Sequence, residues 1–181
     1  TFSELMDQLW LHAVATARLV ESMGPVITGL PVSQLFLSGL VHDIGKPVLL
    51  DAITNRYRGR VGELKNSWGR LLSALDEFSP YVGLRVAEHW KLSPEVRFVV
   101  FYMNTPGAAP RLHRQHVYLV ALASATAETT GYGVIGDPDQ HTQKLNATIA
   151  AFSEEASRDA AERLADEAAN RIVAYIDAVA H

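Results

Sequence analysis

The sequence predicts an all-α protein folded as a compact helical bundle. Apolar residues recur at three- and four-residue spacing along most of the chain, the mark of amphipathic helices. No stretch alternates convincingly with the two-residue period of a strand. Proline and glycine fall between the periodic runs, where helices start and stop. With 181 residues, 48% of them hydrophobic and 20% charged, the chain can bury a substantial core, and one domain over 1–181 is expected.

The first helix is expected over 1–23, with Leu5, Leu9, Ala13, Val14, Ala17 and Val20 on its apolar side and Gly24-Pro25 as its end. Ser33 is positioned to cap a second helix, which stops near Gly45 because glycine accepts the left-handed cap conformation. Pro47 suits the first turn of a third helix through Val48, Leu49, Ala52 and Ile53, with a basic exit at 56–60. Helical spacing returns over 62–78, 80–90 and 94–104, Pro80 and Pro94 marking the last two starts. A loop at 105–110 precedes a strongly apolar helix over 112–130, the candidate central helix. The turn-rich stretch 131–138 leaves room for a short extended segment. Helix resumes from 141 and ends in an Ala/Glu/Arg-rich helix over 154–179 introduced by Ser153 as N-cap.

A formal net charge of -4 and a pI near 5.9 give no global basic field, so nucleic acid is not an expected partner. The absence of cysteine removes disulfides, thiolate nucleophiles and thiolate zinc sites, leaving His, Asp and Glu as metal ligands. There is no long uncharged apolar run and no signal-peptide pattern, so no membrane association is expected and a cytoplasmic setting is. Phosphate-cradling glycine loops and nucleophile elbows are also lacking.

The most informative string is Gly39-Leu40-Val41-His42-Asp43-Ile44-Gly45-Lys46. Adjacent side chains on a helix diverge by about 100°, so His42 and Asp43 can reach one ion only at a helix end or an unwound turn. The glycine that follows supplies that condition. His12 lies in register with Leu5 and Leu19 and is expected to face the interior. Two imidazoles and one carboxylate form a set that can hold Fe(II), Mn(II) or Zn(II).

These residues sit in a larger ordered pattern: Leu9-Trp10-Leu11-His12-Ala13, then Ser38-Gly39-Leu40-Val41-His42-Asp43-Ile44-Gly45-Lys46-Pro47, then Ala87-Glu88-His89-Trp90-Lys91-Leu92-Ser93-Pro94. The pattern resembles the HDOD family, the HD-related output domain of bacterial signalling proteins and a relative of the HD-GYP and wider HD phosphohydrolases. The similarity is strongest over 9–130, with 139–181 as C-terminal helices of the same domain. It implies an HD-like bundle in which His12 is the first metal-site histidine and His42 and Asp43 are the doublet. Proteins of that family usually carry a further helical lobe ahead of the segment matching Leu9, whereas this chain begins almost at that segment.

The chain departs from the HD ligand pattern at three positions. Ser79 and Asn104 stand where relatives have imidazoles, and Ser124 stands where the last aspartate is expected. Neutral hydroxyl and amide groups are weaker ligands for a divalent ion, so the expectation is a degenerate site and a non-catalytic signalling or interaction module. The alternative is a metal-dependent phosphohydrolase acting on a nucleotide or cyclic dinucleotide. No cofactor is expected under the first reading, and a divalent Fe, Mn, Mg or Zn ion under the second. The doublet is expected to bond to Ser124 and nearby backbone. Lys46 is either a phosphate contact or, as the preferred reading, solvated. Glu128 lies one helical turn beyond Ser124, and the sequence leaves open whether such a side chain swings in to complete the site.

Outside this set, His113 and His116 are expected on a solvated basic helix face with Arg111 and Arg114, and His89 in packing. His141 and His181 have no partner pattern. Trp10, Trp68 and Trp90 are read as core or interface anchors. The expected partners are a signalling protein and, through the Ala-rich final helix, a second copy of the chain.

Overall fold

The computed structural model describes residues 2–27, 31–56, 68–133, 137–153, 165–171 and 173–174. Seven helices have defined bounds: α1 (Phe2–Ile27), α2 (Val32–Val41), α3 (Gly45–Arg56), α4 (Trp68–His89), α5 (Pro94–Tyr102), α6 (Arg111–Ala127) and α7 (Pro138–Phe152). A short 3-10 turn, Pro106–Ala108, precedes α6, and a wide helical turn, Glu128–Tyr132, follows it. Residues 165–171 are also helical. No strand occurs among the described residues, so the fold is all-α.

The expected central helix is α6. From His116 to Ala127 nearly every residue is buried, as for a helix surrounded by others rather than lying on a surface. Leu19, Val20 and Met23 of α1, Leu35 of α2, Val99 of α5 and Phe152 of α7 pack around Val117, Val120 and Leu122. A second cluster joins Leu5 and Leu9 of α1 to Leu50 of α3 and to Leu71 and Leu75 of α4. Between them, Val41, Val96 and Val100 close the space beneath the turn that links α2 to α3.

Several expected boundaries are displaced, each for a tertiary reason. Helix α1 does not end at Gly24-Pro25 but runs to Ile27 with Pro25 inside it. Gly24 instead gives passage to Leu35, whose side chain occupies the space a Cβ would need. The second helix starts on Pro31 with no side-chain cap, so Ser33 does not cap it, and it stops at Val41. Residues 42–44 form a turn, and Gly45 opens α3 rather than ending α2. A side chain there would strike the Ser79 carbonyl of α4.

Residues 68–89 form one continuous helix through Pro80 instead of two helices. The proline cannot donate to the Asp76 carbonyl, yet packing of α4 against α3 maintains the helix across the gap. Ser153 closes α7, its hydroxyl donating to the Ala150 carbonyl at 2.7 Å, rather than capping the next helix. The basic exit at 57–60, the start at 62, most of the final helix at 154–179, His181 and the Trp68 side chain lie outside the described residues. No described helix is long and apolar enough to cross a membrane.

Candidate metal centre at the His-Asp turn

The turn between α2 and α3 holds the doublet at the inner end of an apolar helix. Its backbone is fixed by Ile44 N–H donating to the Val41 carbonyl at 3.1 Å and Lys46 N–H donating to the Asp43 carbonyl at 2.9 Å. Close contact with α1 presents His12 to this turn. A Cβ on Gly39 would come within 2.6 Å of the Ala17 Cα, so only glycine lets α2 sit so near α1.

His12 and His42 are both buried and converge. Their Nε2 atoms lie 3.2 Å apart, with ring centroids 5.1 Å apart and planes at 64°. Each Nδ1 faces a backbone carbonyl: His42 Nδ1–H donates to Gly39 at 2.6 Å and His12 Nδ1–H donates to Tyr132 at 2.9 Å. Carbonyls cannot donate, so both rings are assigned the Nδ1–H tautomer and both Nε2 lone pairs point into the shared space. The Ser124 hydroxyl meets one of them, donating to His12 Nε2 at 3.1 Å. Asp43 Oδ2 lies 3.9 Å from His42 Nε2.

The acceptor for His12 depends on the wide turn after α6. Gly131, with φ of 96°, takes the left-handed conformation there, and the following Tyr132 carbonyl reaches back to α1. This backbone contact has no side-chain signature in the sequence. The doublet does not bond to Ser124 as expected; His12 does, while His42 takes the Gly39 backbone.

Lys46 is not solvated. Its Nζ donates to Asp43 Oδ2 at 2.7 Å and lies 3.0 Å from Asp76 Oδ1, so the ammonium bridges the turn to α4. Asp76 was not distinguished by any sequence pattern, since its position one turn before Pro80 on a separate helix becomes meaningful only after folding. Glu128 does not swing into the centre; Lys144 holds its Oε1 at 2.6 Å. Ser79 is buried where α4 meets Gly45, and Asn104 is exposed after α5 on a different cleft.

Burial sets the charge of the centre. It pushes His42 down to about 4, against the opposing attraction of Asp43, and lowers His12 in the same way. For Asp43, burial would raise the carboxyl, but the Lys46 ammonium overrides it and holds the group below the usual carboxylate range. Lys46 is correspondingly held above its ordinary range by Asp43 and Asp76, despite burial acting the other way. The centre therefore combines two neutral imidazoles with a closed ion pair.

One ligand atom from each of His12, His42 and Asp43 lies within 4.8 Å of the others. With both Nδ1 atoms anchored on carbonyls, as metal-ligating histidines are, this donor set fits one divalent N/O-bound ion. His12, His42 and Asp43 would hold it, and a bound ion would supply Lewis-acid polarisation and a more acidic water. Opposing that fit, Lys46 already neutralises Asp43, and Ser124 brings a hydroxyl rather than a second carboxylate.

The remaining histidines diverge from expectation. His116 is buried on α6, not on a solvated face, and His113 stacks on Phe98 with centroids 4.4 Å apart. His89 and Trp90 are exposed at the end of α4, and Trp10 is 62% exposed on α1. No curated protein and no solved structure gives a significant match to this chain. The family model described as HDOD domain matches residues 2–106, a span that contains His12, the His-Asp turn, Lys46 and Asp76, and the chain belongs to the HDOD family.

Proposed function

We propose that this chain is a non-catalytic signalling module, one domain over 1–181, in which the HD centre acts as a polar lock between helices and the outer surfaces engage a protein partner in the cytoplasm. The carrying observation is the Lys46 bridge. An ammonium 2.7 Å from Asp43 and 3.0 Å from Asp76 supplies, from within the chain, the positive charge that a metal would otherwise bring to Asp43. Ser124 on His12 Nε2 completes the centre without a second carboxylate. Large apolar side chains left exposed, including Trp10, Leu11, Phe78, Tyr81 and Trp90, support a role in contact with other proteins. Resident metal is not required by this reading.

A metal-dependent phosphohydrolase acting on a nucleotide or cyclic dinucleotide is the second reading, favoured by the two inward Nε2 lone pairs beside Asp43. Metal stoichiometry and turnover of phosphomonoesters, phosphodiesters and cyclic dinucleotides separate the two, measured with Mn(II), Mg(II) and Fe(II) on the original chain, Ser124→Asp and His42→Ala. The signalling reading expects no meaningful turnover and tighter metal binding in Ser124→Asp. Metal-dependent turnover of the original chain, lost in His42→Ala, would reverse the ranking.

A further inference from the structure

Helix α4 turns one face away from the bundle. Leu71 and Leu75 pack against α1 and α3, while Ser73, Glu77, Tyr81, Arg85 and His89, each four residues after the last, are all exposed. Residues at that spacing form one continuous ridge along a helix. Its middle is aromatic: Tyr81 is 60% exposed, and Phe78, three residues before it on the same side, is 51% exposed. The Tyr81 ring is held by Phe101 of α5, edge-on with centroids 5.5 Å apart. Fixed aromatic side chains left together in water mark a contact surface.

The charges along the ridge select what covers it. Glu77 stands four residues before Tyr81 and Arg85 four residues after it. Turned about a two-fold axis at Tyr81, an antiparallel second α4 brings its Arg85 to Glu77 and its Glu77 to Arg85, two ion pairs from one operation. Both lie one turn from the axis, close enough to meet at the usual helix crossing angles. Phe78 then falls opposite Leu84 of the second copy, and Arg70 within one turn of its Glu88. A parallel pairing would instead set Glu77 against Glu77 and Arg85 against Arg85. A partner of one charge sign would be repelled on one side of Tyr81.

These groups are free to pair. Arg70 and Glu77 make no hydrogen bond or ion pair among the described residues. Arg85 meets Glu88 of its own helix at 2.9 Å, but the arginine side chain is 84% exposed, and a surface i,i+3 pair holds a guanidinium weakly. That contact uses Nη1 and leaves Nε and Nη2 to donate to a second carboxylate.

We propose that this face of α4 is a two-fold, antiparallel interface between two copies of the chain, centred on Tyr81 with Glu77 and Arg85 paired across it. It rests on the signalling reading only in naming one partner for the exposed surfaces, and the His-Asp centre takes no part.

Sedimentation velocity of the full chain across the micromolar range tests this. A monomer–dimer equilibrium is expected, weakened by added salt. Glu77→Arg and Arg85→Glu each bring like charges together twice, and each is expected to raise the dimer dissociation constant more than about tenfold. Mixing the two variants in equal amounts restores association, because both cross-pairs are then opposite in charge. Both substitutions in one chain restore it for the same reason. Thermal melts verify folding of these surface variants. A chain that stays monomeric, a dimer that neither single reversal weakens, or a mixture that fails to associate would overturn the proposal. Each of these leaves the signalling reading standing, since metal content and turnover test that reading separately.

Discussion

His12 Nε2 and His42 Nε2 face each other at 3.2 Å while both Nδ1 atoms are occupied by backbone carbonyls. Two neutral rings so arranged bring lone pairs together, and the Ser124 hydroxyl supplies the donor that relieves one of them. At neutral pH both rings are therefore expected as Nδ1–H tautomers. Long-range nitrogen-proton correlation spectra of labelled protein report this directly. An Nε2–H signal from either ring at pH 7 would contradict the arrangement.

The Lys46 bridge carries a stability prediction. Lys46→Met leaves the Asp43 carboxylate, whose side chain is 11% exposed, without its ammonium. Removing one partner of a mostly buried pair costs about 3 kcal/mol. Asp76 is 67% exposed, so Asp76→Asn is expected to cost less than about 1 kcal/mol. Urea unfolding of the two variants checks the order. Adding Asp43→Asn to Lys46→Met should recover part of the loss, because the stranded charge is then gone.

His12, His42 and Asp43 were legible in the sequence because helical register and a glycine-terminated turn are local signals. Their partners were not. Tyr132 contributes only a carbonyl, and Asp76 comes from a helix whose docking no spacing announces. The misplaced boundaries share a cause: Gly24 and Gly45 serve close approach of Leu35 and Ser79, and Pro80 lies in a helix that packing keeps intact. Local punctuation predicts where a helix can stop, and tertiary contact decides whether it does.

The end of α4 offers a gain in stability. Lys91 has φ of 56°, its N–H donates to the Glu88 carbonyl at 3.0 Å, and Leu92 N–H donates to the Ala87 carbonyl at 2.9 Å. This paired reversal favours glycine at the left-handed position. The Lys91 side chain is exposed and, among the described residues, makes no hydrogen bond or ion pair that would offset the strain of that conformation. Lys91→Gly is expected to stabilise the fold by about 1 kcal/mol, read as a higher urea midpoint with an unchanged slope. A lower midpoint would show that the lysine side chain contributes more than its exposure suggests.

His116 links the core to acid sensitivity. It is 4% exposed on α6, and among the described residues neither ring nitrogen has a hydrogen-bond partner. Burial pushes it down to about 4, with Glu95 opposing the shift and His113 adding to it. The folded state therefore holds the ring neutral while the unfolded chain takes up a proton below about 6.5. The stability this ring permits is fully present above that value and is lost as pH falls towards 4, by about 3 kcal/mol over the window. His42 adds a loss of the same sign, so the test is a difference between proteins. His116→Leu replaces an unbonded imidazole with an apolar side chain of similar size, and is expected to be at least as stable at pH 7. Its advantage should widen by about 3 kcal/mol by pH 4, measured by urea unfolding of both proteins across the range. An advantage that stays constant with pH would mean that the folded state admits a proton at His116 as readily as the unfolded chain does.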